Sequence, residues 1–498
     1  MKLSGDRFFM AVTFLAVTAF TGCITSDLRA GELSSEERAW LKKTQKYEEN
    51  GWIYFHSEGK AFERGFQIGY MLAKDIDETI EVIDFYLEKS TGKKWGFYRE
   101  AAKEMFWPKM DKEYQDEIEG IVAGLKKAGV SKYDKIDLTA YNGWIDLAWY
   151  YLPHTKAHGS CSAFIATGNA TYDGRIVIGH NTWYDYMFCR KWNIILDMKP
   201  EKGHRFITQA FAGWIFGGTD FWINDAGLVV AETTISGFSG FDTKGVPEFV
   251  RIRKALQYSD SIDGFAEIML KDNNGAYAND WLVGDTKTGE IARLELALKN
   301  PQLSRTFDGY YTGSNVAQDP KVRAEEAKGM DYNLKTSSPN GRWVRWQQLM
   351  RENYGKIDIE MGRKFLADHY DSYVEAYNPS SRTLCGHVEY DPLGLEEWGW
   401  GPFYPGGAID AKVTDSEWAS QMKFYAKFGH SCEIPFLAEP FLKAHPEYEW
   451  QRPYIKDLPS YPWSVFKARN YSSMVDMVAY EAYQTQKTGR INLRSQEL

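Results

Sequence analysis

Cys161 is the residue in this chain whose surroundings are most suited to covalent chemistry. It lies in His158-Gly159-Ser160-Cys161-Ser162-Ala163-Phe164, a small-residue approach to a lone thiol followed by an apolar run. A Tyr172-Asp173-Gly174 turn and a second apolar run then lead to Gly179-His180-Asn181-Thr182-Trp183. Two apolar runs around a Gly-containing turn predict a β-hairpin that brings Cys161 beside His180 and Asn181. A thiol attacks a carbonyl only as thiolate, so it needs a base or a positive neighbour. His158, His180 and, if the chain is cut between Ser160 and Cys161, the new α-amine of Cys161 are the candidates. An α-amine has an ordinary pKa of roughly 7.7–8.0, low enough to accept the thiol proton near neutrality.

The elements that must position this hairpin change character along the chain. Up to about Trp149 the pattern is helical: Phe66, Tyr70, Ala73, Ile76, Ile80 and Ile83 recur at spacings of three and four and predict one amphipathic helix. A second helix covers Tyr114 to Leu125. Its Gly120 and Gly124 cost helix propensity and point to close packing against a neighbour. A third spans about Leu138 to Tyr151. From Cys161 on, alternation takes over, with hairpins predicted for Phe221–Ala231 and Trp281–Leu296, and helices near 250–270, 341–352 and 415–428. Strands and helices without regular βαβ alternation predict an α+β fold with antiparallel sheets. Residues 446–463 are rich in proline and aromatics and read as an extended strap, followed by a helix near 473–483.

Composition narrows the function classes. A net charge of −9 with no concentrated Lys/Arg stripe argues against a nucleic-acid partner. The 18 Trp, 31 Tyr and 28 Phe are enough to suggest a sugar-binding surface, but rings in this number mostly serve packing. Lys2 and Arg7 followed by the apolar run Phe8–Phe20 form a signal segment, residues 1–22, too short to span a bilayer. Its end, Phe20-Thr21-Gly22-Cys23, resembles a bacterial lipobox, which implies lipidation of Cys23 and membrane anchoring. An ordinary secretory signal is the other reading, and either gives an exported protein. Five cysteines without a Cys-x-x-Cys pair are too few for a disulfide framework. One bridge, Cys385 with Cys432, stays open. The histidines show no ligand spacing, so no metal and no cofactor are expected.

Several further stretches fall into a recognisable order. They are Ala61-Phe62-Glu63-Arg64-Gly65-Phe66-Gln67-Ile68-Gly69, Glu117-Ile118-Glu119-Gly120-Ile121, Ser160-Cys161-Ser162-Ala163 and Gly179-His180-Asn181-Thr182-Trp183. Downstream come Tyr277-Ala278-Asn279-Asp280-Trp281, Asn340-Gly341-Arg342-Trp343-Val344-Arg345 and Gly407-Ala408-Ile409-Asp410-Ala411-Lys412-Val413-Thr414. Together these resemble the phospholipase B-like (laminin-ancestor-like) family of N-terminal-nucleophile hydrolases, related to the cysteine acyltransferases that process penicillin precursors. Bile-salt and penicillin amidases carry arginine and aspartate where this chain has His180 and Trp183, so the phospholipase B-like branch fits better.

The resemblance implies a four-layer αββα sandwich in which residues 33–160 are the helical N-terminal part and 161–498 the catalytic chain of one domain. It implies self-cleavage at Ser160-Cys161, Cys161 as nucleophile, Asn279 as oxyanion donor and Arg342, or Arg345 one turn on, beside the nucleophile. His180 either transfers a proton or orients the site, and Trp183 and Asn181 line the substrate pocket. The expected partner is an acylated small molecule or lipid whose amide or ester bond is cleaved. An uncut Cys/His hydrolase and an inert binding protein on the same fold are the alternatives.

Overall fold

The computed structural model describes residues 32–152, 160–217 and 221–468. The signal segment, Cys23, His158 and the helix expected near 473–483 lie outside the described residues. In chain order the strands are β1 (Gln45–Glu49), β2 (Trp52–Gly59), β3 (Ser160–Gly168), β4 (Gly174–Asp185), β5 (Ile194–Pro200) and β6 (Phe206–Ala210). Next come β7 (Phe221–Asn224), β8 (Leu228–Thr234), β9 (Asn279–Asp285), β10 (Glu290–Glu295), β11 (Gln302–Thr306) and β12 (Gly309–Gly313). The last are β13 (Tyr370–Asp371), β14 (Ala376–Tyr377), β15 (Gly406–Asp415), β16 (Lys423–Phe428) and β17 (Ser464–Lys467).

Two sheets carry the architecture. One has nine strands in the order β1-β2-β5-β6-β7-β8-β9-β10-β11, and the other six in the order β12-β3-β4-β15-β16-β17. The hairpins expected at Phe221–Ala231 and Trp281–Leu296 are β7–β8 and β9–β10. The pairings are antiparallel except β2 with β5, which run parallel, a direction permitted by the long connection through the helical N-terminal segment and the β3–β4 hairpin.

The sheets stack on apolar side chains. Gly284 of β9 lies so close to the other sheet that a Cβ there would be 3.1 Å from Ile165 and 3.2 Å from Ile176. Rings meet across the same gap, Phe221 with Phe424 at 5.3 Å and Trp52 with Phe428 at 5.5 Å. Outside the larger sheet, Phe265 of helix Ile262–Leu270 packs on Trp222 and Trp281. Outside the smaller one, Phe164 packs on Trp346 of helix Ser338–Glu352 and on Phe365 of helix Ile359–Leu366. Helices thus cover both outer faces, and the fold is an αββα sandwich of α+β class.

The glycines of the second predicted helix do serve a close crossing. Helices Ala61–Met71 and Lys112–Lys127 approach until a Cβ on Gly65 would lie 2.0 Å from the Glu117 carbonyl oxygen, and one on Gly120 2.3 Å from that of Phe62. At the same crossing, buried Glu117 accepts from Arg64 and Arg253, so the first two motif stretches are tied to each other and to helix Glu248–Tyr258.

Three local expectations are corrected. The single helix over Phe66–Ile83 is two, ending at Met71 and restarting at Ala73, because Leu72 leaves helical geometry with φ −114° and ψ 18°. Residues 415–428 are one helical turn, Ser416–Ser420, and then β16, whose Phe424, Ala426 and Phe428 are buried at period two beside β15. Residues 446–451 form a 3-10 helix where an extended strap is expected. No helix among the described residues is long and apolar enough to cross a membrane.

The crossing yields a prediction. Gly120→Ala should destabilise the protein by about 1–3 kcal/mol, the usual cost of overpacking, whereas Gly96→Ala, at an exposed helical site with open space around it, should leave stability unchanged or slightly raised. Thermal or denaturant unfolding of both variants against the parent checks this, and equal effects would contradict it.

Candidate active site

Cys161 is the second residue of β3, and the register of β3 on β4 decides what surrounds it. Cys161 pairs with Thr182, Ser162 with Asn181, Ala163 with His180 and Ser160 with Trp183. Directly opposed residues share a face. Cys161, His180 and Thr182 therefore lie on one side of the sheet, and Ser162, Asn181 and Trp183 on the other.

On the first side, the Cys161 thiol donates to Oε1 of Glu232 at 3.7 Å, a long contact suited to sulfur, and the same oxygen accepts from the Tyr277 hydroxyl at 3.2 Å. The thiol, a His180 ring nitrogen and a Glu232 oxygen all lie within 4.8 Å of one another, and all three residues are buried. His180 pairs with Lys412 across β4 and β15. Burial, reinforced by the Lys412 ammonium and partly offset by the Glu232 backbone, holds the imidazole well below the ordinary histidine range. His180 is thus a neutral ring at neutral pH. Lys412 itself is held by Thr182, Gln209 and Asp410.

On the second side sits Arg342, from helix Ser338–Glu352. Its Nη1 donates to the Cys161 carbonyl oxygen at 2.7 Å and to Ser162 Oγ at 3.3 Å, its Nη2 to Asn315 Oδ1 at 2.9 Å, and its Nε to Ser338 Oγ at 3.1 Å. The guanidinium lies over the Trp183 ring, 4.4 Å from its centroid. Burial pulls its pKa down, with Cys161 and Glu397 opposing. Arg345 instead pairs with Asp368 at 2.6 Å, so of the two arginines it is Arg342 that meets the nucleophile segment.

Asn315 joins the sides. Its Oδ1 accepts from the Cys161 backbone N–H at 3.4 Å, and its Nδ2 donates to the Thr234 carbonyl oxygen at 2.7 Å. It does so from φ +69°, a left-handed conformation that asparagine tolerates better than most residues. Thr234 is the rung of β8 that faces Asn279 on β9. Asn279 is fully buried, and both its side-chain polar atoms lack a hydrogen-bond partner among the described residues. A buried amide left so is costly in a resting protein and available to something that enters.

Asn181 departs from its expected place. Its Nδ2 donates to the carbonyl oxygens of Leu366 and Leu384, so it holds the end of helix Ile359–Leu366 and the Leu384 loop behind the sheet, on the face opposite the thiol. Trp183 on the same face forms the shelf under Arg342. Ser160 is placed by its backbone at the start of β3. Glu232, Tyr277 and Asn315 are the site residues the sequence reading missed. Glu232 had a signal, a carboxylate in the otherwise uncharged strand Leu228-Val229-Val230-Ala231-Glu232-Thr233-Thr234, where burial demands a partner. Asn315 had only its place after Gly313-Ser314.

The sequence matches a family description, Phospholipase B, over residues 29–297, more than half of its length and a span that includes Cys161, His180, Glu232 and Asn279. The chain belongs to the phospholipase B family. Asn315 and Arg342 lie beyond the matched span. Among curated proteins, an uncharacterized protein of Archaeoglobus fulgidus is 24% identical over 394 residues, covering 70% of this chain and 63% of that protein. Human phospholipase B-like 1 is 26% identical over 305 residues, covering 54% of this chain and 52% of its own length. Phospholipase B of Crotalus adamanteus is 26% identical over 304 residues, with 55% and 52% covered. The matched region is thus less than two thirds of each relative. Among solved structures, a conjugated bile acid hydrolase from Clostridium perfringens is 12% identical at a TM-score of 0.31, covering 54% of this chain and 89% of that one. So slight a likeness leaves the layers resting on the strand pairing described above.

The Asn315 bridge can be tested directly. Asn315→Ala removes the three side-chain hydrogen bonds described above, with the Cys161 N–H, the Arg342 Nη2 and the Thr234 carbonyl oxygen, which should cost about 1–3 kcal/mol. Denaturant unfolding measures it. Stability equal to the parent's would mean that the bridge contributes nothing.

Proposed function

We propose that this chain is a self-processing N-terminal cysteine hydrolase that cleaves the amide or ester bond of an acylated small molecule or lipid. The observation that carries the reading is that three atoms of Cys161 each meet a different buried side chain: the thiol meets Glu232, the N–H meets Asn315, and the carbonyl oxygen meets Arg342. Core cysteines serve as small apolar fillers and have no need of such a cage. Membership of the phospholipase B family supports the hydrolase class, and the name phospholipase B carried by the relatives suggests a lipid acyl ester as one such bond.

In this reading, Glu232 receives the thiol proton and the sulfur adds to the Ser160 carbonyl carbon. Glu232 returns that proton to the peptide nitrogen as the tetrahedral adduct collapses and the C–N bond breaks, leaving Ser160 as a thioester on Cys161 Sγ and freeing the α-amine. Water hydrolyses the thioester, giving the Ser160 carboxylate and regenerating the thiol. The mature enzyme repeats the chemistry on its substrate. The α-amine takes the thiol proton, sulfur attacks the acyl carbonyl, the amine returns the proton to the leaving amine or alcohol, and water releases the acid. Asn279, with its unpartnered buried amide, donates to the oxyanion in both adducts. Arg342 positions Cys161 through its carbonyl and does not enter the bond changes. His180, neutral and with a ring nitrogen within 4.8 Å of the thiol, orients it.

Two measurements test the proposal. Intact mass and N-terminal sequencing of the purified protein should find a fragment starting at Cys161. Cys161→Ala should leave one uncut chain, while a parent that stays uncut yet hydrolyses acyl substrates would mean a Cys/His mechanism. A parent and a Cys161→Ala variant that both fail on a broad acyl-amide and ester screen would favour a binding role.

The pH profile separates the bases. A base works only when unprotonated, so with the α-amine kcat/KM should rise with pH through about 7–8. With His180, whose pKa is held well below the histidine range, the profile would already be flat there. Asn279→Ala should lower kcat by about 100- to 1000-fold with little change in KM.

A further inference from the structure

The fold gathers four further side chains that no step above uses. His369 follows helix Ile359–Leu366, Cys385 and His387 lie on the loop that runs behind β4, and Cys432 lies on the loop after β16. In sequence His387 is 18 residues from His369 and 45 from Cys432, which is why spacing gives no sign of a ligand set. In space one nitrogen or sulfur from each lies within 4.8 Å of all the others, and all four residues are buried. Spacing along the chain gives no ligand set, and the fold brings these four groups together; the Cys385–Cys432 bridge is not formed, since both thiols are free.

The separations fit the edges of a coordination tetrahedron. Zinc bound to sulfur at about 2.3 Å and to nitrogen at about 2.0–2.1 Å sets a sulfur about 3.6 Å from a nitrogen and two nitrogens about 3.3–3.4 Å apart. Here His387 Nε2 is 3.6 Å from Cys385 Sγ, 3.5 Å from Cys432 Sγ and 3.1 Å from His369 Nε2.

The surroundings are those of a ligand set. His387 Nδ1 lies 2.9 Å from Glu389 Oε1, which fixes the Nδ1–H tautomer and turns the Nε2 lone pair toward the cluster. The other Glu389 oxygen accepts from the Tyr186 hydroxyl at 2.7 Å, which also meets His430 Nε2 at 2.8 Å. The Ile434 N–H donates to Cys432 Sγ at 3.4 Å, the kind of contact that stabilises a thiolate.

We propose that His369, Cys385, His387 and Cys432 bind one zinc ion as a closed structural site. Four protein ligands leave no position for a substrate, and the site pins a part of the chain that has little regular structure of its own, only the two-residue strands β13 and β14 and two short 3-10 turns between Tyr370 and Trp398. Gly386, between two of the ligands, lies flat on Trp183, where a Cβ would be 2.0 Å from the ring. The zinc site therefore backs the shelf on which Arg342 rests. It stands independently of the reading of Cys161 as a nucleophile.

The test uses the full chain, purified without chelators or metal-affinity resin. Elemental analysis should find about one zinc per chain, unchanged in Cys161→Ala and reduced to a tenth or less in Cys385→Ser and Cys432→Ser. The Cys161→Ala control matters because Cys161, His180 and Glu232 form a second set of ligand-type groups. Since the serine variants could fail to fold, the parent is also stripped of metal with a mercurial and a chelator and then given cobalt. Thiolate-to-cobalt charge transfer with intense tetrahedral d–d bands is expected, together with recovery of the Tm lost on stripping. The proposal is overturned by metal-free protein two hydrogens lighter than the reduced mass, the sign of a disulfide. Reduced protein that takes up neither zinc nor cobalt overturns it as well, and so does a metal lost in Cys161→Ala but kept in Cys385→Ser.

Discussion

A guanidinium with no exposure to water is the constraint on which this site is built. Arg342 is fully buried, and an ion in that position costs several kcal/mol unless its donors are met. They are met by the Cys161 carbonyl oxygen, Ser162, Asn315 and Ser338, with the face of Trp183 below. These partners come from four pieces of the fold: the nucleophile strand, which supplies both Cys161 and Ser162, the turn after β12, the start of the arginine's own helix, and β4. Satisfying one side chain thus fixes the relative position of four segments, and the backbone of Cys161 is held as a consequence.

The two faces of the β3–β4 ladder divide the labour. The face toward Glu232 and His180 carries the groups that can exchange a proton with the thiol. The opposite face carries hydrogen bonds and stacking, with Asn181 holding the Leu366 and Leu384 carbonyls and Trp183 wedged between Arg342 and Gly386. Period two in a strand makes this division automatic, since neighbours in sequence face opposite ways. A shift of register by one residue would exchange the faces and remove the thiol from its carboxylate.

Behind that shelf the chain from Tyr370 to Trp398 has little ladder to hold it, and its order comes from buried polar contacts. Arg382 pairs with Asp371 and Asp391, and His387 with Glu389. The four-residue cluster of imidazoles and thiols lies among these contacts, and its His387 is the one that pairs with Glu389. In the N-terminal part the corresponding tie is Glu117 between Arg64 and Arg253, set where two helices cross at glycines. Motif stretches that resemble catalytic signatures in sequence therefore do two kinds of work, and the Arg64 and Glu117 stretches act on packing.

The sequence by itself determined the α+β class with antiparallel sheets, the β3–β4, β7–β8 and β9–β10 hairpins, the close helix crossing and the thiol beside His180, because these follow from short-range periodicity, turn residues and glycine placement; the four layers came from the family resemblance. It also singled out Asn279 and Arg342, through motif order. Tertiary structure alone decided that Asn181 faces away from the thiol, that residues 423–428 are a strand and not a helix, and that Arg342 and not Arg345 turns inward. It also brought in Glu232 and Asn315 and joined His369, Cys385, His387 and Cys432. The physical reason is the same in each case: sheet pairing and buried charge balance are contacts between distant parts of the chain, and local pattern holds no record of which partner will be there.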